Sequence, residues 1–538
     1  MKAAIIGGGI SGLLAIKACL EEGIEPHCFE RYNQLGGVWV YDEKLRPGQG
    51  SAIYDSLTTN SSKAMMAFSD FPPPRDMPPY PRHGDVLGYV RAFADRYDLA
   101  RHVRFGTAVE RVEPSADFAA TGRWTVRTRP VDQGEAASET AVYDAVFVCS
   151  GMYKKPFVPD YPGLDEFKGR KMHTNEFRNA CGFADKTVLV MGASNSAGDV
   201  AADLSRCARR VHLTMRHGCW MVKRMASDSV PIDMLVNRRI IQYAPKFIVG
   251  KVAEAKASVN FNHDKLGLRA EAGLLNSEVM VNDEIGDRIM CGSVQCRPGV
   301  KRFTAHGVEF VDGHTVDNLD AVVFATGYQL GYDFIDRSII QDSFADLDLY
   351  MHVFPPKMAH PTLAVIGCVT TLGGQPPVFE LQTRLAAKVF KGSVRLPAEG
   401  AMMADVRRRR DALYRTFGKH RLFFPPVPYQ DELAEMMGVK PRFWELFLTS
   451  PRLAFQVFFG PCYPATYRLR GPHAWDGARQ AIEDSWDGII AATKTRVPAK
   501  AKSIGPTAPW TAAAAVSRLL RLCLLTALVL GVALVIAA

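Results

Sequence analysis

The chain opens on an uninterrupted apolar run, Ala3-Ala-Ile-Ile6, that passes at once into Gly7-Gly-Gly9-Ile-Ser-Gly12 and then into Leu13 to Glu22, where apolar positions recur at helical spacing. That order predicts strand, tight turn and helix. A short second strand, Pro26-His-Cys-Phe29, ends on Glu30. The pattern returns at Thr187-Val-Leu-Val-Met191, followed by Gly192-Ala-Ser194-Asn-Ser-Ala197-Gly198, a predicted helix from Asp199 to Cys207, and the strand Val211-His-Leu-Thr-Met215 ending on Arg216. Two more apolar strands, Ala145 to Val148 and Ala321 to Phe324, run into Cys149-Ser-Gly151 and Ala325-Thr-Gly327-Tyr328. Small residues there suit backbone that passes close to a bound dinucleotide or links two domains.

A glycine triplet between strand and helix is the context a dinucleotide pyrophosphate needs. Gly7 permits the turn, Gly9 lets backbone approach the phosphates, and Gly12 lets the helix pack on the strand, so the helix N-terminus can hold the anion. Glu30 stands where a carboxylate accepts hydrogen bonds from ribose hydroxyls. The second unit has Ala197 for the third glycine and Ser194 at the central position, where a side chain stands in place of bare backbone. It ends on Arg216 where the first ends on Glu30. A carboxylate repels a 2′-phosphate and a guanidinium binds it with charge-assisted bonds, so the first site is expected to hold FAD and the second NADPH.

The net charge of +9 is spread along the chain, and the densest basic run, Arg407 to Arg410, reads as one solvated helix face, which argues against nucleic-acid binding. No long period recurs, so repeat architectures are excluded. Eleven cysteines without a zinc-type arrangement point to free thiols, most of them small core residues, in a reducing compartment. With no room for a cleavable leader before Ala3, the catalytic body is expected in the cytosol.

The other end differs. Leu522 to Ala538 is an uncharged run of 17 residues, roughly 25 Å as a helix, the short end of a bilayer crossing. Lys494, Arg496, Lys500, Lys502, Arg518 and Arg521 precede it on the side expected to face the cytosol. A C-terminal transmembrane helix is therefore expected.

Further motifs place the chain. Phe167-Lys-Gly169-Arg-Lys-Met-His173-Thr-Asn-Glu-Phe177 has the form FxGxxxHxxx(Y/F), and beside it stand Gly36-Gly37-Val-Trp39, Tyr54-Asp-Ser-Leu-Thr-Thr-Asn60-Ser-Ser-Lys63, Phe68-Ser-Asp-Phe-Pro72 and Glu380-Leu-Gln382. Over nearly its whole length the sequence resembles the flavin-containing monooxygenases, and its apolar tail resembles the membrane-anchored animal branch. The resemblance implies an α/β fold of two Rossmann-like dinucleotide-binding domains, with the NADPH domain inserted into a discontinuous FAD domain. Its pieces are 1–158 and 328–450 for FAD, 159–216 and 297–327 for NADPH, an animal-type insertion at 217–296, a C-terminal scaffold at 451–510 and a membrane anchor at 511–538. It implies FAD contacts from Gly7, Gly9, Gly12, Glu30, Gly36, Gly37 and Trp39, and NADPH contacts from Gly192, Ser194, Asn195, Ser196 and Arg216. Asn60 then lies at the flavin's reactive edge as the catalytic residue, with Thr59 and Ser61 nearby and Gln382 close to both cofactors. A residue that merely caps a helix beginning near Ser62 is the plainer reading of Asn60. His173 reads as a hydrogen-bonding hinge rather than a proton-transfer group.

The chemistry so implied is reduction of FAD by NADPH, capture of O2 as a C4a-hydroperoxyflavin, and oxygen transfer to soft nitrogen or sulfur atoms of small lipophilic amines and sulfides, at an endoplasmic reticulum membrane with the catalytic body facing the cytosol. Self-association into a homo-oligomer is compatible with it. Arg178, after Phe177, departs from the tryptophan of related Baeyer–Villiger enzymes and favours heteroatom oxygenation over ketone oxygenation. Uncoupled NADPH oxidation and a non-catalytic membrane flavoprotein are the remaining variants. A flavin disulfide reductase fits less well, because Cys291 and Cys296 lie far from the first nucleotide unit and, on one strand, positions five apart face opposite sides. No metal constellation is present in the sequence.

Overall fold

In a computed structural model the described residues are 1–46, 48–133, 137–226, 229–417 and 422–496. Two five-stranded parallel sheets organise them. The first runs Leu363–Val365, Ala145–Val148, Lys2–Ile6, Glu25–Phe29, Val103–Arg104 in spatial order, with Ile5 beside both Cys28 and Phe147. The second runs Val294–Arg297, Arg210–Thr214, Thr187–Met191, Ala321–Phe324, Arg170–His173. The central strands are apolar and buried along their length, as parallel sheets covered on both faces require. Each glycine turn joins a central strand to a helix, Ile10–Glu21 in the first sheet and Asn195–Leu204 in the second. A three-stranded antiparallel sheet, Thr107–Pro114, Trp124–Pro130 and Glu139–Tyr143, forms the crossover within the first unit. Helix Pro376–Phe390, buried almost throughout, packs against Ile10–Glu21.

The sheets divide the chain unevenly. Every strand of the second comes from 170–324, whereas the first is completed by Leu363–Val365, beyond them. Lys155–Pro156 and Tyr328–Gln329 pair antiparallel where the chain passes between the two units.

Several expectations need correction. The second glycine helix begins at Asn195, not Asp199, because Ser194 in extended backbone already serves as its first flanking residue. No helix begins near Ser62: residues 61–66 run as turns, with Met65 and Met66 N–H both returning to the Ser62 carbonyl, so Asn60 has no helix to cap. Arg407 to Arg410 lie on helix Glu399–Phe417 but are not one solvated face, since four consecutive residues go round a helix of 3.6 per turn. Arg409, its side chain 11% exposed, pairs with Asp405 and Glu432, and Arg410 pairs with Asp348. The stretch 217–296 also reaches into the second sheet, whose edge strand is Val294–Arg297. The ten described cysteines are free thiols and six of them are buried, Cys296 on that edge strand and Cys291 exposed before it. The expected anchor, 511–538, lies outside the described residues, and among the described residues no helix is long and apolar enough to cross a membrane.

Candidate functional site

At the first turn, Gly7 has φ +106°, and a Cβ there would meet the Cys149 carbonyl oxygen at 2.7 Å. A Cβ on Gly12 would lie 1.9 Å from the Gly7 carbonyl oxygen, so only glycine lets this helix seat on its turn. Gly36 and Gly37, φ +124° and +58°, form a second turn against the first, where Gly36 N–H donates to Gly8 O at 3.3 Å and a Cβ on Gly37 would lie 3.0 Å from Gly9 Cα. Trp39 ends the short helix that follows and packs half-buried on the first sheet's core. Glu30, 6% exposed, accepts Gly8 N–H at 2.6 Å and Tyr32 N–H at 2.9 Å, one on each carboxylate oxygen. Each oxygen keeps a lone pair, so the carboxylate can still take a ribose hydroxyl.

This cradle fits a flavin dinucleotide. Helix Ile10–Glu21 carries no side-chain cap and no acidic residue in its first turn, leaving its N–H groups and dipole for a pyrophosphate. Ser150 Oγ, Thr59 Oγ1, Asn60 Oδ1, Thr371 Oγ1 and Gln375 Oε1 are buried without a hydrogen-bond partner. An unmade bond of that kind costs about 1–3 kcal/mol, which a polar ligand relieves.

At the second turn, Gly192 has φ +147° and a Cβ would meet the Ala325 carbonyl oxygen at 2.4 Å. Helix Asn195–Leu204 again lacks a side-chain cap. Ser194 and Ser196 are half-exposed at its N-terminus, whereas Asn195 turns its Oδ1 away to accept Val281 N–H at 2.8 Å. Close packing here falls to Gly198, where a Cβ would lie 2.6 Å from Met280 Sδ. Arg216 follows strand Arg210–Thr214, is exposed, and has no carboxylate in salt-bridge distance among the described residues. Arg224 is engaged instead, paired with Asp283 at 2.9 Å and donating from Nε to the Thr59 carbonyl at 3.0 Å.

Thr59 is buried and Asn60 and Ser61 are half-buried, in a segment bonded to the second unit through Arg224 and through the Tyr54 hydroxyl on Asp199. Gln382 is fully buried and bridges Gly367 N–H (2.9 Å) and Tyr429 Oη (2.8 Å). It fixes Gly367, where a Cβ would stand 3.3 Å from Ser11 Oγ at the start of the first glycine helix, so its reach toward that helix runs through backbone. His173 bridges the Gly327 carbonyl (Nε2, 3.0 Å) and Asn175 N–H (Nδ1, 3.2 Å) and stands edge-on to Tyr328. Burial pushes its pKa down, so the neutral ring acts as a hinge pin between the FxGxxxHxxxF motif and the Gly327-Tyr328 link. Arg178 Nε donates to the Asp42 carbonyl and its Nη1 to those of Asn175 and Phe177.

Sequence reasoning missed a buried ionic cluster. Lys17 pairs with Glu21 and Asp70, and Arg468 pairs with Glu21, Asp70 and Glu380, while Ser69 N–H donates to Glu380 at 2.8 Å. Arg384 lies among them, its pKa lowered to about 10 by burial and the neighbouring Arg468. The motifs Phe68-Ser-Asp-Phe-Pro72 and Glu380-Leu-Gln382 were legible, but their partner Arg468 stands in the presumed scaffold with no local signature.

The family model for flavin-binding monooxygenase-like proteins matches residues 1–530. The chain is 41% identical over 503 residues to flavin-containing monooxygenase 3 of Rattus norvegicus, covering 92% of this chain and 94% of that protein. It is 39% identical over 504 residues to dimethylaniline monooxygenase [N-oxide-forming] 2 of Mus musculus, covering 92% and 93%. Among solved structures it is similar to S-allyl-L-cysteine S-oxygenase from Allium sativum, with a TM-score of 0.61 at 24% identity over 91% of this chain and 98% of that one. It is also similar to cyclohexanone monooxygenase from Rhodococcus sp. Phi1 bound to NADP+, with a TM-score of 0.57 at 18% identity over 81% and 97%. These structural likenesses concern the fold.

Proposed function

The chain belongs to the flavin-binding monooxygenase-like family and is a flavoprotein monooxygenase using FAD and NADPH; from that premise we propose that it oxygenates soft nitrogen and sulfur atoms of small lipophilic amines and sulfides. One observation carries the reading: two strand–glycine turn–helix units, one followed by a buried carboxylate and the other by an exposed guanidinium with no carboxylate in salt-bridge distance among the described residues, share the chain with a turn whose Thr59 Oγ1 and Asn60 Oδ1 are buried without a partner and whose segment is bonded to the second unit through Tyr54 and Arg224. Two relatives whose names specify N-oxide formation support the substrate class.

In this reading Gly7, Gly9, Gly12, Gly36, Gly37 and Trp39 cradle FAD and Glu30 holds its ribose. Gly192, Ser194 and Ser196 face the NADPH pyrophosphate, with Asn195 fixing the helix that presents them, and Arg216 holds the 2′-phosphate. Bound FAD, reduced by NADPH, supplies the activated oxygen. The protein's part is to hold and shield: Asn60 donates its amide N–H toward that oxygen, Thr59 and Ser61 line the same turn, and the buried surround excludes water that would compete for the oxygen. Gln382 steadies Gly367 against the first helix. Residues 1–158 and 328–450 form the FAD unit and 159–216 with 297–327 the NADPH unit, 217–296 being inserted in the latter, and 451–510 is a scaffold. Residues 511–538 anchor the protein in the endoplasmic reticulum membrane, where lipophilic substrates concentrate, with the catalytic body on its cytosolic side.

The decisive experiment is stoichiometric. Purified protein, yellow with bound flavin, is given NADPH, O2 and dimethylaniline, an aryl methyl sulfide or a cyclic ketone, and product and H2O2 are counted against NADPH. N-oxide and sulfoxide equal to NADPH support the proposal. Ester as the main product, or H2O2 alone, refutes it.

A further inference from the structure

Segment 217–296 grips the turn that carries Asn60. The turn lies outside any helix; segment 74–82 supports it from one side, Thr59 N–H donating to Pro81 O at 3.0 Å and Lys63 N–H to Pro79 O at 2.8 Å, and segment 217–296 holds the other. The turn's N-terminal end is held where the Thr59 carbonyl accepts Arg224 Nε at 3.0 Å. Its C-terminal end is held where Ser62 N–H donates to Asp233 Oδ2 at 2.6 Å. Both holders are fixed. Arg224 takes both oxygens of Asp283, through its N–H and Nη1 at 2.9 Å each, and its carbonyl accepts the Tyr80 hydroxyl and Ile232 N–H. Asp233 is 3% exposed at the start of helix Ile232–Val236, and its second oxygen is buried without a partner. Burial raises its carboxyl to about 6, still below neutral pH, so the bond to Ser62 is charge-assisted.

We infer that Arg224 and Asp233 are positioning residues for oxygenation, clamping the Thr59–Ser62 turn from both ends and so setting where the Asn60 amide points. The inference rests on the reading of Asn60 given above. Small displacements matter here, because a donor misplaced by about 1 Å can cost on the order of 100-fold in a reaction step. The insertion is then part of the oxygenation machinery rather than an ornament of the NADPH unit.

The test uses the full-length holoenzyme with a sulfide substrate and reads two quantities: the anaerobic rate of flavin bleaching by NADPH, and the ratio of H2O2 to oxygenated product formed in air. Asp233→Ala and Arg224→Met are expected to bleach at the parent rate and to raise the ratio of H2O2 to oxygenated product by about tenfold or more, the lower end of the roughly 10- to 150-fold scale of one lost charge-assisted bond. Asp233→Asn, which keeps an acceptor for Ser62 N–H, is expected to restore most of the coupling. Should Asp233→Ala fail to retain flavin, Arg224→Met decides alone. A parent-like ratio in both, an equal loss of bleaching and coupling, or an Asn variant as uncoupled as Ala overturns the clamp. Asn60→Leu is run alongside. If it stays coupled, the reading of Asn60 is what fails; if it uncouples while the other two do not, only the clamp fails.

Discussion

The Tyr54 hydroxyl donates to the Asp199 carboxylate, joining the segment that leads into the Asn60 turn to the glycine helix of the second sheet. Asn282 Nδ2 donates to the other oxygen at 2.6 Å, and burial raises the pKa of both the phenol and the acid. Tyr54→Phe removes one donor and leaves a buried carboxylate half satisfied, at about 1–3 kcal/mol. The expected result is a lower melting temperature with normal flavin content and a larger KM for NADPH. An unchanged melting curve and KM would mean that the two units are held in register by other contacts.

Arg468 is 2% exposed and contacts three carboxylates, Glu21, Asp70 and Glu380. Breaking a buried ion pair by removing one partner costs about 3–5 kcal/mol. Arg468→Met is therefore expected to fold poorly and to release flavin, since Glu21 ends the helix that starts at the first glycine turn. Soluble, yellow Arg468→Met protein with a parent melting temperature contradicts this.

The contrast between those clusters and the glycine turns shows what a sequence discloses. Strands Thr187–Met191, Ala145–Val148 and Ala321–Phe324 were legible to the residue, because a buried parallel strand must be apolar throughout and its turn must be small. Ser62 was misread as a helix start because the turn residues there also suit a cap, and the turn is held by contacts outside its own segment, to Pro79 and Pro81 and to Asp233 and Arg224 more than 160 positions away. Tyr54–Asp199 and Arg468–Glu380 were invisible for the same reason: each is polar, and one sequence carries no record of which distant charge will meet it.

Arg216 is exposed and unpaired where the second nucleotide strand ends, while Arg224 is committed to Asp283 and Thr59. A hydrogen bond to a charged group contributes about 1.5–3 kcal/mol, so Arg216→Ala should shrink the preference for NADPH over NADH by on the order of 10- to 150-fold. The ratio of kcat/KM for the two cofactors measures it. An unchanged ratio assigns the 2′-phosphate elsewhere, Lys223 being the next candidate.

Ending the chain after Trp510 removes the uncharged run Leu522 to Ala538 and leaves both sheets intact. The truncated protein is expected to keep flavin and activity and to leave the membrane fraction. If it still pellets with membranes after a high-salt wash, apolar surface on the catalytic body does the anchoring. Trp444, Leu448 and Phe455, at 56%, 84% and 51% exposure, are then the residues to change next.

Asn60 carries the sharpest prediction, because the structure removes its plainer role. With no helix starting near Ser62, loss of Asn60 forfeits no cap, and its buried Oδ1 has no partner to lose. A residue kept for stability alone would be satisfied; one kept for a ligand would not. Leu has the same branched side-chain skeleton but neither donates nor accepts, and Asp keeps the shape while replacing the donor with charge. Asn60→Leu should therefore hold flavin, melt within a few tenths of a kcal/mol of the parent, and be reduced by NADPH at the parent rate. It should turn O2 into H2O2 with little sulfoxide or N-oxide. Asn60→Asp should behave likewise, since a carboxylate offers no N–H to the oxygen. A variant that couples NADPH to product as the parent does, whatever its heat stability, removes Asn60 from the chemistry and returns the site to the backbone N–H groups of the same turn.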